Sequence, residues 1–183
     1  MNRLSALIVG VSILAVGCSD SSPTASSQRT TTTSTFTVPL SPANEVPAIV
    51  NADASGSGTA IIALTVTKDD AGNITSATAN FQISVTGFPA GTRVTDAHIH
   101  NGSAGSNASV YVNVGLAAGE LAVTNGSGSI TKNGVNVPAD RAAALLSNRA
   151  GHYLNVHTSL NPDGAIRGQL SAGSFDPGTA VPY

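Results

Sequence analysis

The stretch TSATANFQISV, residues 75–85, decides the fold. Every second residue in it is small or apolar, and this set is Ala77, Ala79, Phe81, Ile83 and Val85. The residues between them are serine, threonine, asparagine and glutamine. Successive side chains of a β-strand point to opposite faces, so this alternation predicts a strand with one buried and one exposed face.

The preceding stretch, GTAIIALTVTK at residues 58–68, repeats the pattern. Ile62, Leu64 and Val66 share a face there, although Ile61 interrupts the alternation. The two stretches are joined by DDAGN, residues 69–73, whose Gly–Asn pair favours a tight turn. We therefore predict an antiparallel hairpin.

Short strands with turn signals between them continue to the end of the chain. The further candidate strands are residues 93–100, 109–114 (with Val110, Val112 and Val114 inward), 120–123, 129–132, 152–158 and 165–171. One segment breaks this rhythm and predicts a short helix over residues 141–148, capped by Asp140 and closed by Gly151. Eight or nine strands with one crossover helix predict an all-β, antiparallel β-sandwich or closed barrel.

The first 18 residues, MNRLSALIVGVSILAVGC, indicate export. One basic residue precedes an apolar run over residues 4–17, which is shorter than the about 20 residues that a membrane-spanning helix needs. The run ends in LAVGC, which resembles a bacterial lipobox, so we expect residues 1–17 to be a signal peptide and Cys18 to carry lipid. An ordinary signal peptide with a leftover cysteine is the alternative. Ser19 after the cysteine favours anchoring in the outer membrane of the cell envelope.

Residues 18–35 are almost free of apolar side chains, so we interpret them as the lipidated cysteine and a disordered tether. Residues 36–172 then form one domain, and residues 173–183 are a C-terminal tail. Cys18 is the chain's single cysteine, which excludes a disulfide within the chain. The formal net charge is −2 and no basic stripe occurs, so we expect no nucleic-acid partner.

Four short strings together resemble one family. They are ANEVP (residues 43–47), AHIHNG (97–102), YLNVHT (153–158) and GAIRGQL (164–170). In this order and spacing they resemble the CHRD domain, a module named from chordin and also present in many bacterial exported proteins. The resemblance implies an immunoglobulin-like all-β module. We expect a non-catalytic binding or structural module that reaches the membrane through its lipid anchor, with an envelope or extracellular protein or glycan as partner.

The string AHIHNG poses the question of function. Alternation places His98 and His100 on the same side of their strand, together with Asp96. His157, from a later strand, can join them as a third imidazole, and three imidazoles suit zinc or copper. A metal site of His98, His100 and His157 is therefore the alternative function, and Asp96 or Glu45 can add an oxygen ligand.

A structural role is equally compatible with these residues. The same histidines can hydrogen-bond Asp96, Asn155 or the carbonyls of residues 101–107 and so clamp that loop to the sheet. Arg167 can pair with Glu45 or Asp96. The members of this polar cluster are Glu45, Asp96, Asn155, Arg167 and Gln169. His152 falls on the opposite face in this register, where we expect a strand-edge residue.

An enzymatic function has the least support from the sequence. The sequence contains no nucleophile elbow, Walker loop or nucleotide-binding fingerprint, and we name no catalytic residue. Hydrolysis by paired carboxylates has only Asp96 and Glu45 as candidates. The His-x-His pair is similar to that of copper–zinc superoxide dismutase, but that enzyme needs more histidines than the 4 present here. We expect no cofactor apart from the copper or zinc of the alternative.

Overall fold

The computed structural model describes residues 29–182. The predicted signal peptide, Cys18 and the predicted tether up to residue 28 lie outside the described residues. The strands of the described part are β1 (Thr30–Leu40), β2 (Ser57–Lys68), β3 (Ile74–Thr86), β4 (Val94–His100), β5 (Val110–Asn113), β6 (Gly128–Asn136), β7 (Tyr153–Thr158), β8 (Ile166–Gln169), β9 (Phe175–Asp176) and β10 (Val181–Pro182). One α-helix, α1 (Ala139–Ser147), joins β6 to β7. Among these residues, no helix has the length and apolar character to cross a membrane.

The first sheet is antiparallel, with strand order β10–β1–β2–β3–β6 and β9 paired to β1. The predicted hairpin is confirmed, since β2 and β3 pair over their full length. In its turn, the Asp69 carboxylate accepts hydrogen bonds from the backbone N–H groups of Ala71 and Asn73. Gly72 has a φ of 82°, a conformation that glycine adopts at little cost.

The second sheet is antiparallel too, with strand order β5–β4–β7–β8. The apolar faces of both sheets meet in one core of aliphatic side chains with Phe36 and Phe81 at full burial. The predicted all-β sandwich with a single short helix is therefore confirmed. The absence of tryptophan is compatible with this core because many small aliphatic residues fill it.

The outer face of the second sheet is not open to solvent. Residues 41–50 and 101–109 lie over it: Asn107 Nδ2 donates to the Val46 carbonyl at 2.7 Å, and Gln169 Nε2 donates to the Gly102 carbonyl at 2.7 Å. Every residue of β7 is buried as a result. Alternation predicted which side chains share this face, and the loops turn that face into a second, polar interior.

Two details of the strand predictions are wrong. Val110 is 47% exposed, because the register of β4 and β5 shifts between the pairs Ile99–Val112 and His100–Val110 and turns Val110 outward. Val112 and Val114 are buried as predicted. Residues 120–123 form no strand among the described residues, only an isolated bridge between Arg93 and Ala122.

The predicted helix exists with different ends. It begins two residues earlier than expected, at Ala139, with Pro138 at the N-cap position, and Asp140 lies in the first turn without acting as the cap. Proline has no side-chain acceptor, so the first turn of the helix lacks a side-chain cap hydrogen bond. Asn148 ends the helix, and Gly151 closes a separate 3₁₀ turn over Arg149–Gly151.

The folded part extends beyond both expected boundaries. Residues 30–35, which we assigned to the tether, lie in β1, where β-branched threonines favour a strand. Their hydroxyls pair across to β2, Thr31 with Thr67 at 3.1 Å and Thr33 with Thr65 at 2.7 Å. At the other end, β9 and β10 lie within the C-terminal tail, and both pair with β1.

Candidate metal centre

The three histidines converge on one point of the second sheet. β4 and β7 are neighbours, and Asp96 lies opposite His157 in their register. His98 and His100 therefore face the same side as His157. One ring nitrogen from each of the three lies within 4.8 Å of the others. His98 Nδ1 and His157 Nε2 are 3.1 Å apart.

The second nitrogen of each ring is held by a partner outside the cluster. His100 Nδ1 lies 2.9 Å from the Ala108 carbonyl, and His157 Nδ1 lies 2.9 Å from the Pro162 carbonyl. A carbonyl can only accept, so both Nδ1 atoms carry the proton and both Nε2 atoms present a lone pair. His98 Nε2 is 3.1 Å from an Asp96 oxygen, which leaves its Nδ1 with the lone pair. Such outer partners orient metal-binding histidines in many proteins.

The local electrostatics favour neutral imidazoles. Burial lowers the pKa of all three histidines below the usual value. The neighbouring charges of the other two rings add to this effect: His100 lowers the pKa of His98, His157 that of His100, and His98 that of His157. Asp96 opposes the lowering at His98. Because only the neutral ring binds a metal ion, the cluster is in its ligating form near neutral pH.

When all three rings are neutral, the short contact inside the cluster brings two lone pairs together. With both outer nitrogens donating, neither His98 Nδ1 nor His157 Nε2 has a proton for the other. The two lone pairs would repel at 3.1 Å, and either a metal ion between them or a second proton on His98 would remove this repulsion. His100 Nε2 is buried and has no hydrogen-bond partner within residues 29–182, which leaves a third lone pair available.

The cluster opens onto a cavity of about 700 Å³. Its walls include all three histidines, Asp96, Tyr153 and Asp163. The ring of Tyr153 stacks on His100 at 4.8 Å between centroids, and its hydroxyl accepts a hydrogen bond from the Ala108 N–H at 3.3 Å. Tyr153 thus supports both the histidine and the loop, a role that no sequence signal indicated.

The two sequence hypotheses for the histidines prove compatible. The clamp contacts exist, although the acceptors are Ala108 and Pro162 and not the carbonyls of residues 101–107. They use one nitrogen of each ring and direct the other toward the cluster. A clamp of this kind holds the loops and orients the three free nitrogens at the same time.

The other predicted site residues lie around the cluster and not in it. Asp96 contacts His98, and Asn155 Nδ2 donates to the Asp163 carbonyl at 3.3 Å. Gln169 bonds the loops through its amide nitrogen. Glu45 lies beside Arg167, and neither Glu45 nor Asp96 joins the group that can reach one metal ion.

Arg167 does not form the expected ion pair with Glu45 or Asp96. Its Nη1 donates to the Ser106 carbonyl and to Asn107 Oδ1, both at 3.2 Å. Its guanidinium carbon lies 4.0 Å from the centre of the Tyr153 ring. These contacts hold the guanidinium against the loop and the tyrosine instead.

His152 is not at an exposed strand edge. It is 2% exposed, lies just before β7, and its Nδ1 is 2.8 Å from the Asn148 carbonyl. It is the chain's one histidine outside the cluster. This makes His152 a matched control for experiments on the other three.

Burial raises the pKa of Glu45 to about 7, and the nearby Arg167 opposes this rise. The folded state therefore favours the protonated carboxyl, whose stabilising contribution is present below the unfolded pKa of 4.5 and is lost as the pH rises through about 7. We expect Glu45→Gln to match the wild type in free energy of unfolding at about pH 4 and to exceed it at about pH 8. Urea denaturation at a series of pH values measures the difference.

The three histidines have lowered pKa values, so their contribution to the free energy of unfolding rises with pH over a range that overlaps that of Glu45. Because wild type and Glu45→Gln contain the same histidines, this contribution cancels when the two free energies are subtracted. The control is Glu120→Gln, at an exposed acid whose pKa is lowered, first by the Ala117 N–H and then by Lys132. This variant should lack the gain at high pH. If the free energy of unfolding of wild type and of Glu45→Gln changed in parallel with pH, this would contradict the raised pKa of Glu45.

Comparison with known proteins adds one finding. A family model described as the CHRD domain matches residues 36–170, which covers most of the chain, most of the first sheet and all of the second. No curated protein and no solved structure matches significantly.

Proposed function

This chain belongs to the CHRD-domain family, and on that premise we propose that it is a non-catalytic binding module of the cell envelope whose ligand is one zinc or copper ion held by His98, His100 and His157. The observation that carries the proposal is the convergence of three ring nitrogens whose opposite nitrogens are all bonded elsewhere. Pre-oriented rings reduce the entropy lost on binding.

The choice of metal follows from the ligands. Three imidazole nitrogens suit zinc and copper, whereas magnesium and calcium prefer oxygen ligands. Three protein ligands leave a fourth coordination position, and the cavity beside the histidines gives access to it. A water molecule or a group from an envelope or extracellular partner, a protein or a glycan, can take that position.

The proposed non-catalytic role has support from the family and from the two candidate acids. Asp96 is engaged with His98, and Glu45 is buried beside Arg167 with its pKa raised by burial. Neither acid is arranged as a partner of the other for hydrolysis. This arrangement supports a site that binds and orients a ligand.

The proposed location rests on the sequence alone. The apolar run before Cys18 and the LAVGC string support export and lipid anchoring at the outer membrane. Residues 19–28 would then connect the lipid to β1, which begins at Thr30. The tether is thus shorter than residues 18–35.

Calorimetric titration of the purified protein with Zn(II) and with Cu(II) tests the metal site. We expect one ion per chain, and the electron paramagnetic resonance spectrum of the copper form should show coupling to nitrogen. No heat above that of the buffer for either ion would overturn the proposal. Several weak sites without nitrogen coupling would overturn it as well.

A further inference from the structure

A second polar cavity lies beside the metal cluster. It has a volume of about 410 Å³, within the roughly 300–1,000 Å³ range of small-molecule sites. Its walls come from β8, from the segment that follows β1 and from the loop after β4. None of the three cluster histidines lines it. Glu45 and Arg167 both do, and they are only 7% and 1% exposed.

Arg167 carries a buried charge with incomplete compensation. Its Nη1 reaches only neutral acceptors, the Ser106 carbonyl and Asn107 Oδ1. Its Nη2 is buried and has no hydrogen-bond partner in the described part of the chain. A buried guanidinium without a carboxylate or phosphate partner is costly, so its free N–H groups are a strong site for an anion.

Glu45 likewise lacks a hydrogen-bond partner among the described residues, in its case for an acceptor. Its Oε1 is buried and lacks a partner within residues 29–182. The carboxyl interacts with the charge of Arg167 at a distance, but the two side chains form no ion pair in the described structure. One cavity therefore contains a cationic donor and an acidic acceptor, both buried, both unsatisfied and not joined to each other.

The other polar side chains that line the cavity already have hydrogen-bond partners and do not contact the unpaired atoms of Arg167 and Glu45. Asn44 Nδ2 is used by the Arg167 carbonyl at 3.0 Å, and Gln169 Nε2 is shared between the carbonyls of Gly102 and Ala150. The rest of the lining is small and apolar, with Ala43, Ala104 and Ala172 among its residues. A ligand needs one acidic and one basic end on a small body.

We propose that this cavity binds a free α-amino acid, with its carboxylate at the Arg167 guanidinium and its ammonium group at the Glu45 carboxylate. A ligand that carries both charges satisfies both buried groups and adds no net charge to the interior. A simple carboxylate would leave Glu45 without a partner, and a simple amine would leave Arg167 without one. The inference does not rest on metal binding, because the two cavities use different charged side chains.

Thermal denaturation of the full-length protein with each standard amino acid at millimolar concentration is the first test. At least one should raise the melting temperature, and calorimetry should then show one molecule bound per chain. For that amino acid, the analogue without the ammonium group and the analogue without the carboxylate should each bind at least about tenfold more weakly, as expected for a lost charge-assisted hydrogen bond. No stabilisation by any amino acid overturns the proposal, and so does equal binding of either analogue.

Variants locate the site. At about pH 8, where the Glu45 carboxyl is ionised, Glu45→Gln keeps the shape of the side chain and removes its charge, so amino-acid affinity should fall at least about tenfold. Glu120→Gln is the matched control at an exposed acid, and it should bind as the wild type does. Arg167→Lys tests the other end, with circular dichroism as the check of folding. Unchanged affinity in folded Glu45→Gln overturns the proposal even if Arg167→Lys fails to fold, and the zinc titration reports separately on the histidine cluster.

Discussion

Replacing His157 by alanine should lower the affinity for zinc and copper more than about 100-fold, the upper end of what loss of an outer-shell partner typically costs. His157 is the residue that links the cluster across two strands. Its Nε2 lies 3.1 Å from His98 Nδ1, and its Nδ1 proton is fixed by the Pro162 carbonyl. Without it, the metal ion retains two imidazoles from β4 and loses the ligand that closes the chelate. Calorimetric titration measures the change.

The matched control is His152→Asn, because the Nδ2 of asparagine takes the place of the ring Nδ1. It removes the one histidine outside the cluster and keeps an N–H donor that can reach the Asn148 carbonyl. Its metal affinity should equal that of the wild type. His98→Ala is a second variant, since His98 is the most accessible ring of the three. If both cluster variants folded and bound metal with wild-type affinity, His98 and His157 would not be metal ligands.

Replacing Phe81 by alanine should lower the free energy of unfolding by about 3–5 kcal/mol, the usual range for a fully buried phenylalanine. Phe81 is 0% exposed and lies on the interior strand β3, opposite Ile62 of β2. The substitution removes buried apolar surface and leaves a cavity in a core that contains only one other fully buried phenylalanine among the described residues, Phe36. Chemical denaturation followed by circular dichroism measures the loss.

Gln82→Ala is the control for this substitution. Gln82 is the next residue of β3 and points to the exposed face. The change should alter stability by no more than about 0.5 kcal/mol, as is usual for surface positions. Similar losses for the two variants would mean that the alternation of β3 does not separate a core face from a solvent face.

The sequence predicted orientation well because orientation is local. Residues two apart on a strand share a face whatever the strand packs against. The face of Phe81 and the shared side of His98 and His100 followed from that rule alone. The rule failed at Val110, where a shift of register between β4 and β5 breaks the period.

The burial of the side chains could not be predicted in the same way. Polar and apolar residues alternate along the strands of the second sheet, as they would if its polar face were exposed to solvent. Loops from distant parts of the chain nevertheless cover that face. Glu45 and Arg167 are buried by this cover, and the pairing expected between them is prevented because Tyr153 and the loop hold the guanidinium. Hydrogen bonds between residues about 60 positions apart leave no periodic trace in the sequence.

By itself, the sequence determined the all-β class, the β2–β3 hairpin, the faces of the strands and the resemblance to the CHRD family. Only the tertiary structure decided that β4 and β7 are neighbours in a register that brings His157 to 3.1 Å from His98. It also decided that Arg167 and Glu45 share a buried cavity without pairing. The physical reason is that side-chain direction depends on the backbone of one strand, whereas distance and burial depend on contacts between segments far apart in the chain.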